Sequence, residues 1–356
     1  MAKEKVIEDL NDAVDALMTD PHATPPRLSP QLTALLRIAS DLRDLPSDAF
    51  RARLKSALVP EAAEPSYGPP LVTHEDIRAR LEALAAGPRL VAHDVRAALS
   101  DLPEMTMRFF APLNRCMVGV SRFAGPSHWE RHPAGDEMLH ILEGEVEITT
   151  LTDEGPVQSA ARAGSLFICP RGLWHRLVPR SPVSLLFATP GEGIEHSAAK
   201  DPRRPGRGRA SLYKGSGLPA SAAGAPLSAH DVDATLNGLP ELTITASTTG
   251  AEADAAVRTI TRLDQCMLGV MRYSGLTPWE RHPDGDELLH VLDGEVDVTV
   301  LAEDGPAEVT VRAGSVFVCP RGLWHRQRPR PAVTMLFGTP SKTTEVSVAD
   351  DPRHPA

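Results

Sequence analysis

The sequence is poor in several features that would assign it to a specialised class of protein. Aromatic residues make up 4% of its 356 residues, and its four cysteines form no C-x-x-C pair. Four cysteines in a chain of this length are too few for a disulfide framework, which favours a reducing compartment and predicts a cytoplasmic protein. No apolar run approaches the roughly 18 residues of a membrane-spanning helix. The opening residues, MAKEKVIEDL, have no apolar core of the kind found in secretory signals.

The charge balance is acidic. The chain has 37 Lys and Arg against 47 Asp and Glu, which gives a formal net charge of −10. Sequence-independent binding to a phosphate backbone needs a basic surface, so we expect no nucleic-acid partner, and nothing indicates a membrane partner. Charged residues at 24% and hydrophobic residues at 42% are ordinary for a globular protein. The length predicts two or three domains.

The second half of the chain repeats the first at an offset of 150 residues. Two of the repeated segments read CMVGVSRF and CMLGVMRY at 116–123 and 266–273, and RAGSLFICPRGLWHR and RAGSVFVCPRGLWHR at 162–176 and 312–326. A weaker repeat, AHDV, stands at 92–95 and 229–232 with an offset of 137. A period this long indicates two globular units and not a solenoid.

The chain outside the repeat differs in character. We predict four segments: a helical region at 1–90, a first repeat unit at 91–205, a linker at 206–228 and a second unit at 229–356. TALLRIASDLRDL has apolar residues near helical spacing after the start signal Ser29-Pro30. We expect these helices to pack on the repeats or to mediate a homodimer. The Gly-, Pro-, Ala- and Arg-rich linker is favoured as a solvated connector, with a binding patch as the alternative.

The repeats are predicted to be mainly β. Runs such as EMLHILEGEVEITTL, SLFIC and VSLLFATP are rich in Val, Ile, Leu and Phe and are bounded by Gly, Pro and Asp. Strands this closely spaced, with no long helix among them, favour an antiparallel sandwich or barrel.

Polar residues inside these strands form a repeated constellation. Alternation along WERH puts Glu130 and His132 on one face of a strand, with Trp129 and Arg131 on the other. A turn leads to a strand that begins at Glu137, and PRGLWH brings back a second histidine, His175. We therefore expect His132, Glu137 and His175 to converge inside one barrel. The second repeat supplies the equivalent residues: Glu280, His282, Glu287 and His325.

Two imidazoles and one carboxylate suit a divalent first-row metal. With open coordination positions, this is the ligand set of non-haem iron oxygenases, so Fe(II) is favoured, and Zn, Ni, Mn or Cu would also accept it. The alternative is a buried, hydrogen-bonded His–Glu cluster that holds no metal. Because both copies carry the same two histidines and the same glutamate, a metal is the favoured interpretation.

The repeats resemble cupins. Gly164, Pro170, Gly172 and His175 fit the second cupin signature, and their counterparts in the second copy do the same: Gly314, Pro320, Gly322 and His325. Three residues of each copy fit the first signature: His132, Glu137 and Gly144, and His282, Glu287 and Gly294. The sequence departs from the family where the first signature has its first histidine and the second has its final asparagine; Glu130 and Glu280, and Pro179 and Pro329, stand there.

The resemblance covers about two thirds of the chain and implies a bicupin with two tandem jelly-roll barrels. It also implies a metal at the wide mouth of each barrel. The glutamate in place of the first histidine leaves two roles for Glu130 and Glu280. Each is either a fourth metal ligand or a catalytic acid or base, because an apolar barrel raises the pKa of a carboxylate toward the range of proton transfer.

The fold alone does not settle the activity. We favour a metal-dependent enzyme acting on a small organic substrate, with dioxygen chemistry on an enolic or aromatic molecule as the first expectation. The alternatives are isomerase, lyase or decarboxylase chemistry on a similar substrate, and a non-catalytic ligand-binding or regulatory bicupin whose helices bind a protein. Both barrels carry the full pattern, which favours chemistry in both.

Several neighbouring residues are expected to be structural. His140 and His290 should point away from the sites by strand alternation, toward the partner barrel or a helix. The four cysteines are favoured as small buried hydrophobes, with a pocket role for Cys169 and Cys319 as the alternative. Arg131 is favoured as part of a rim salt bridge, with binding of an anionic substrate as the alternative.

Overall fold

The computed structural model describes residues 90–203 and 227–354. The predicted N-terminal helices, all but the last residue of 1–90, lie outside the described residues. So do the Arg-rich part of the predicted linker and the two C-terminal residues.

The first half of the described chain is built of short strands and one helix. In order they are β1 (His93–Asp94), α1 (Val95–Ser100), β2 (Thr106–Leu113), β3 (Cys116–Phe123), β4 (Trp129–Arg131), β5 (Glu137–Glu143), β6 (Glu145–Thr152), β7 (Gly155–Arg162), β8 (Ser165–Cys169), β9 (Trp174–Pro179), β10 (Val183–Pro190) and β11 (Glu195–Ser197).

The second half repeats this order with two further helices or helical turns. Its elements are β12 (His230–Asp231), α2 (Val232–Leu236), β13 (Glu241–Ile244), α3 (Gly250–Ala256), β14 (Arg258–Leu263), β15 (Cys266–Gly275), β16 (Trp279–Arg281), β17 (Glu287–Ala302), β18 (Gly305–Arg312), β19 (Ser315–Cys319), β20 (His325–Pro340) and β21 (Glu345–Ser347).

The architecture is mainly β, as predicted, and each repeat forms a barrel. Barrel 1 consists of a six-stranded sheet in the order β12-β8-β5-β10-β3-β2 and a five-stranded sheet in the order β11-β4-β9-β6-β7. In barrel 2 the strands β17 and β20 run unbroken through both layers, so its ten strands form one sheet around the path β1-β19-β17-β20-β15-β13. Apart from β13, which pairs with β15 in parallel, the strand pairs are antiparallel.

A glycine makes the sharp bend between the two layers of each barrel. Gly144 and Gly294 both have a φ of 83°. A Cβ atom at these positions would lie 2.1 Å from the carbonyl oxygen of Pro182 and 2.2 Å from that of Ala332. Only glycine adopts this conformation without strain, which explains why the closing position of the first signature is glycine in both copies.

The two barrels exchange their N-terminal arms. Strand β1, which precedes barrel 1, pairs with β19 of barrel 2. Strand β12, which precedes barrel 2, pairs with β8 of barrel 1. The helices that follow are capped alike, since Asp94 accepts from the amide of Ala97 and Asp231 from that of Ala234, each at 2.8 Å. The AHDV repeat therefore marks an exchanged arm, so that each barrel is completed by the chain segment that leads into the other.

The barrels share one hydrophobic core. It includes Val118, Leu186, Leu268 and Leu336, which are completely buried, together with residues of both exchanged arms. At its centre the rings of His140 and His290 meet edge to face with their centroids 5.4 Å apart. The expectation that these histidines point away from the sites is confirmed: they lie against the partner barrel.

No helix in the described ranges is long and apolar enough to cross a membrane.

Candidate metal centres

In barrel 1 four predicted residues come together at one end of the interior. The imidazole of His175, from β9, has its Nε2 atom 3.0 Å from Oε2 of Glu137, which begins β5. The same carboxylate oxygen lies 3.3 Å from Nε2 of His132. Glu130, on β4, places Oε1 3.7 Å from Nε2 of His175. The two histidines and Glu137 are buried, while the side chain of Glu130 is partly exposed.

Barrel 2 repeats this arrangement closely. Nε2 of His325 is 3.1 Å from Oε2 of Glu287, and Nε2 of His282 is 3.4 Å from Oε1 of the same residue. Oε1 of Glu280 lies 3.6 Å from Nε2 of His325. The structure thus brings together the eight residues that were predicted from the sequence, four in each barrel.

Backbone and hydroxyl groups hold these side chains in place. The Nδ1 atom of His175 lies 3.3 Å from the carbonyl oxygen of Leu173, which leaves Nε2 facing the cluster. His325 has the same contact with Leu323 at 3.2 Å. The hydroxyl of Thr189 donates to Oε1 of Glu137, and that of Thr339 donates to Oε1 of Glu287. Such outer partners fix the orientation and tautomer of metal-binding residues.

The charges in each cluster are strongly coupled. Burial by itself would raise the pKa of Glu137, but the nearby charges of His132 and His175, with the hydrogen bond to His175, hold that pKa well below its usual range. Burial would lower the pKa of His175, whereas its contacts with Cys169, Glu130 and Glu137 raise it well above its usual value. Without a metal, the ionised Glu137 therefore stabilises the protonated form of His175, and a cation that binds there competes with that proton.

The donor set fits a divalent metal better than a closed hydrogen-bonded cluster. Ligands about 2.1 Å from one metal and at right angles to each other lie roughly 3.0 Å apart, close to the separations of the nitrogen and oxygen atoms here. Among the described residues, neither ring nitrogen of the buried His132 has a hydrogen-bond partner, and the same holds for Nε2 of His282. A buried polar atom without a partner costs free energy, which metal ligation at Nε2 would recover.

A cavity of about 100 Å³ lies directly over the cluster in barrel 1. Glu130, His132 and Glu137 form its polar end. Much of the remaining wall is apolar, and six of its residues come from four strands and a loop: Met107, Phe109, Phe123, Leu139, Leu177 and Ile194. Apolar cavities in proteins accept small organic molecules. A somewhat larger apolar cavity, of about 150 Å³, binds benzene.

The other predicted residues have structural contacts. Trp129 and Trp174 pack with Leu151 outside the metal cluster. Arg131 forms an ion pair with Glu195 and lies 4.8 Å over the ring of Trp174, which places it in a rim salt bridge.

All four cysteines are free and buried. Burial raises the pKa of Cys169 to about 12 and that of Cys266 to about 11. These thiols remain protonated, so they behave as small apolar side chains and not as thiolate ligands.

Sequence reasoning missed Thr189 and Thr339. The signal was present, since the segments FATP and FGTP repeat at the same offset. A threonine in an apolar strand is ordinary, however, and only the fold shows that its hydroxyl meets the glutamate.

Comparison with known proteins identifies the class of this fold. The family model described as a cupin domain matches residues 118–189 and 269–330. The match falls once in each repeat, so each barrel contains one cupin domain. Over 55 residues it is 44% identical to germin-like protein subfamily 2 member 4 of Arabidopsis thaliana. That stretch is 15% of this chain and spans only a quarter (25%) of the length of that curated relative.

Solved structures of cupin proteins are similar at a lower level. A cupin 2 conserved barrel domain protein from Leptotrichia buccalis has a TM-score of 0.45 at 13% identity, covering 72% of this chain and 98% of its own. A deletion mutant of oxalate decarboxylase from Bacillus subtilis has a TM-score of 0.44 at 14% identity, covering 85% of this chain and 86% of its own. Similarity at this level carries no information about the reaction.

Proposed function

We propose that the protein is a metal-dependent enzyme that acts on a small organic substrate, as a non-haem dioxygenase-type oxidoreductase. The observation that supports this most directly is the position of His132 and Glu137 in the wall of an apolar cavity, with His175 beside them in the same cluster. Three protein ligands would leave a metal with open coordination positions, which is typical of a catalytic and not of a purely structural site.

In barrel 1, one group of residues would hold the metal and Glu130 would act beside it. His132, Glu137 and His175 would hold the metal, with Fe(II) favoured. A metal of this kind supplies Lewis-acid binding of substrate oxygen atoms and, as iron, activation of dioxygen. Glu130 is partly exposed to the cavity and 3.7 Å from His175. It serves either as a fourth ligand or as the base that takes a proton from an enol or phenol of the substrate.

The first test is the metal content of the purified, untagged protein. We expect about two equivalents of iron per chain, one for each cluster, as measured by plasma mass spectrometry. The double variant His132→Ala, His282→Ala should lose both, because each substitution removes one of the two imidazoles. His354→Ala is the matched control, because His354 is exposed and lies outside both clusters. A protein that takes up no metal even on reconstitution contradicts the proposal.

Oxygen consumption then separates the reaction classes. An iron-loaded protein that consumes oxygen with a member of an enol and phenol panel supports the dioxygenase, and Glu130→Gln should slow that consumption while iron is retained. Stoichiometric zinc, nickel or manganese with no oxygen consumption would instead direct the search to isomerase, lyase or decarboxylase chemistry. Metal and ligand binding without turnover, with a partner protein captured by the N-terminal residues, would identify a regulatory bicupin.

A further inference from the structure

The two barrels keep the same cluster but differ in what surrounds it. At three positions related by the 150-residue offset, barrel 1 has an apolar side chain and barrel 2 a polar one: Phe123 and Tyr273, Leu177 and Gln327, Ile194 and Thr344. The backbone at the second pair makes the same contact in both barrels. The amide of Leu177 donates to the hydroxyl of Ser127 at 3.0 Å, as the amide of Gln327 donates to that of Thr277 at 2.8 Å. At this pair the difference between the barrels therefore lies in the side chain.

In barrel 2 these polar side chains form a chain of hydrogen bonds that ends on the cluster. The hydroxyl of Tyr273 donates to Oε1 of Gln327 at 2.5 Å, and Nε2 of Gln327 donates to Oε1 of Glu280 at 3.2 Å. Tyr273 is 1% exposed and Gln327 6% exposed, so this chain crosses the interior of the barrel. The hydroxyl of Thr344 lies 3.2 Å from Nδ1 of His282. Glu280 is thus already held by the protein.

In barrel 1 the equivalent space is the apolar cavity. Phe123, Leu177 and Ile194 line it, and none of them offers a side-chain hydrogen bond to Glu130. Two histidines, His128 and His196, also line the cavity and supply polar atoms there. Their counterparts in barrel 2 are Pro278 and Val346, which cannot do so. Barrel 1 is therefore suited to a ligand with an apolar body and a polar head.

We propose that barrel 1 alone takes the organic substrate, and that Tyr273 and Gln327 close barrel 2 to it. This inference rests on the proposed function. The substrate class is a small molecule with an aromatic or compact alkyl group and an oxygen-bearing head. The apolar group packs against Phe123, Leu177 and Ile194, while the head faces Glu130 and the cluster. Phe123 and Leu177 are thus specificity-determining residues of the first site.

The physical reason is the cost of opening the second site. An apolar group placed between Tyr273 and Glu280 would break two buried hydrogen bonds and leave a phenol, an amide and a carboxylate oxygen without partners. A ligand that leaves buried polar groups of the protein unpaired is rejected more strongly than a ligand that merely fits an apolar pocket poorly. The same group in barrel 1 would pack against Phe123, Leu177 and Ile194, whose side chains form no hydrogen bond to Glu130.

Binding of 4-fluorophenol, observed by fluorine NMR on the full-length, zinc-loaded protein, tests this directly. Its ring matches the apolar wall, its hydroxyl matches the polar end, and zinc supports no turnover that would consume it. We expect one saturable equivalent per chain. Two equivalents, or none, would overturn the inference, and this readout needs no variant to fold.

Reciprocal variants locate the bound equivalent. Phe123→Tyr with Leu177→Gln should weaken binding by about tenfold or more, because it builds the Tyr–Gln–Glu chain in barrel 1. Tyr273→Phe with Gln327→Leu is the matched control, and it should keep the first equivalent and allow a second. Each variant introduces only side chains that already stand at the equivalent place in this chain. Equal loss of binding in both variants, at unchanged melting temperature, contradicts the assignment.

The inference and the proposed function fail in different ways. One equivalent of 4-fluorophenol on a protein that binds no metal upholds the assignment of the cavity and removes the metalloenzyme. An iron protein that consumes oxygen but binds two equivalents keeps the metalloenzyme and removes the division between the barrels.

Discussion

At the scale of single residues, we expect the threonine hydroxyls behind the glutamates to determine how tightly each cluster binds a cation. Thr189 donates to Oε1 of Glu137 while Oε2 faces the histidines. Removal of the hydroxyl by Thr189→Val leaves Oε1 without this partner and frees the carboxylate to turn. We expect metal affinity at one of the two sites to fall by about 10–100-fold, as measured by competition with a chelating dye.

Thr339→Val provides the mirror experiment in barrel 2. It should weaken the other equivalent by a similar factor, and the double variant should weaken both. If both equivalents in Thr189→Val compete with the dye as in the wild type, the hydroxyl does not orient the carboxylate.

The residues of the candidate metal clusters could be predicted from the sequence, whereas those that shape the cavity beside them could not. His132, Glu137 and His175 stand at spacings that strand alternation and a hairpin bring together, and a second copy repeats them. The replacements of Phe123 by Tyr273 and of Leu177 by Gln327 are also visible in the sequence. The effect of these differences on the cavity depends on contacts between side chains of different strands across the barrel, and no local sequence pattern predicts such contacts.

At the scale of elements, two aspartates, one in each barrel, join the loops that carry the clusters. Each accepts one hydrogen bond from its own barrel and one from the other barrel, and we call this arrangement a clasp. Asp286 precedes Glu287 and accepts from the amide of Arg321 at 2.8 Å, in the loop before His325. Its other oxygen accepts from the amide of Asn114, in the β2–β3 turn of barrel 1, at 2.6 Å. Asp136 does the same with Arg171 and with Asp264 of barrel 2, at 2.8 and 3.1 Å.

Loss of one clasp should loosen both the barrel interface and the adjacent cluster. Asp286 is 6% exposed, and Asp286→Ala removes two charge-assisted hydrogen bonds and leaves two amides unpaired. We expect the free energy of unfolding to fall by about 3 kcal/mol in urea titrations. The nearby exposed Asp284→Ala should change it by no more than about 0.5 kcal/mol. A loss of equal size in both variants would assign the effect to charge and not to the clasp.

The strands themselves were predictable, but their partners across the interface were not. Alternation and turn residues mark β3 to β10 and their repeats, because each strand buries one face in its own barrel. The exchanged arms β1 and β12 carry the same AHDV sequence. A two-residue strand pairs in the same way with either barrel, so nothing local distinguishes an exchanged arm from one that folds back on its own unit.

At the scale of the whole molecule, the histidine pair at the centre of the shared core makes stability depend on pH. Burial lowers the pKa of His140 to about 4 and, together with the charge of His140, that of His290 to about 3. Both are therefore neutral in the folded protein at pH 5, whereas in the unfolded chain they take up protons below about pH 6.5. Because the unfolded state then binds more protons, stability is full above about pH 6.5 and falls as the pH is lowered toward 4.

The size of this effect can be measured against a variant that cannot titrate. Between pH 7 and pH 5 each histidine should remove about 2 kcal/mol from the free energy of unfolding, as followed by urea titration of metal-free protein. His175 and His325 do not cause this loss, because their pKa values are raised in the folded protein and such groups add stability, and do not remove it, as the pH is lowered. His140→Leu with His290→Leu should flatten the slope, while His354→Leu should keep it. If the double variant retains the acid slope of the wild type, the buried pair is not its origin, and the loss comes from other titratable groups, among them His93 and His230, whose pKa values burial also lowers.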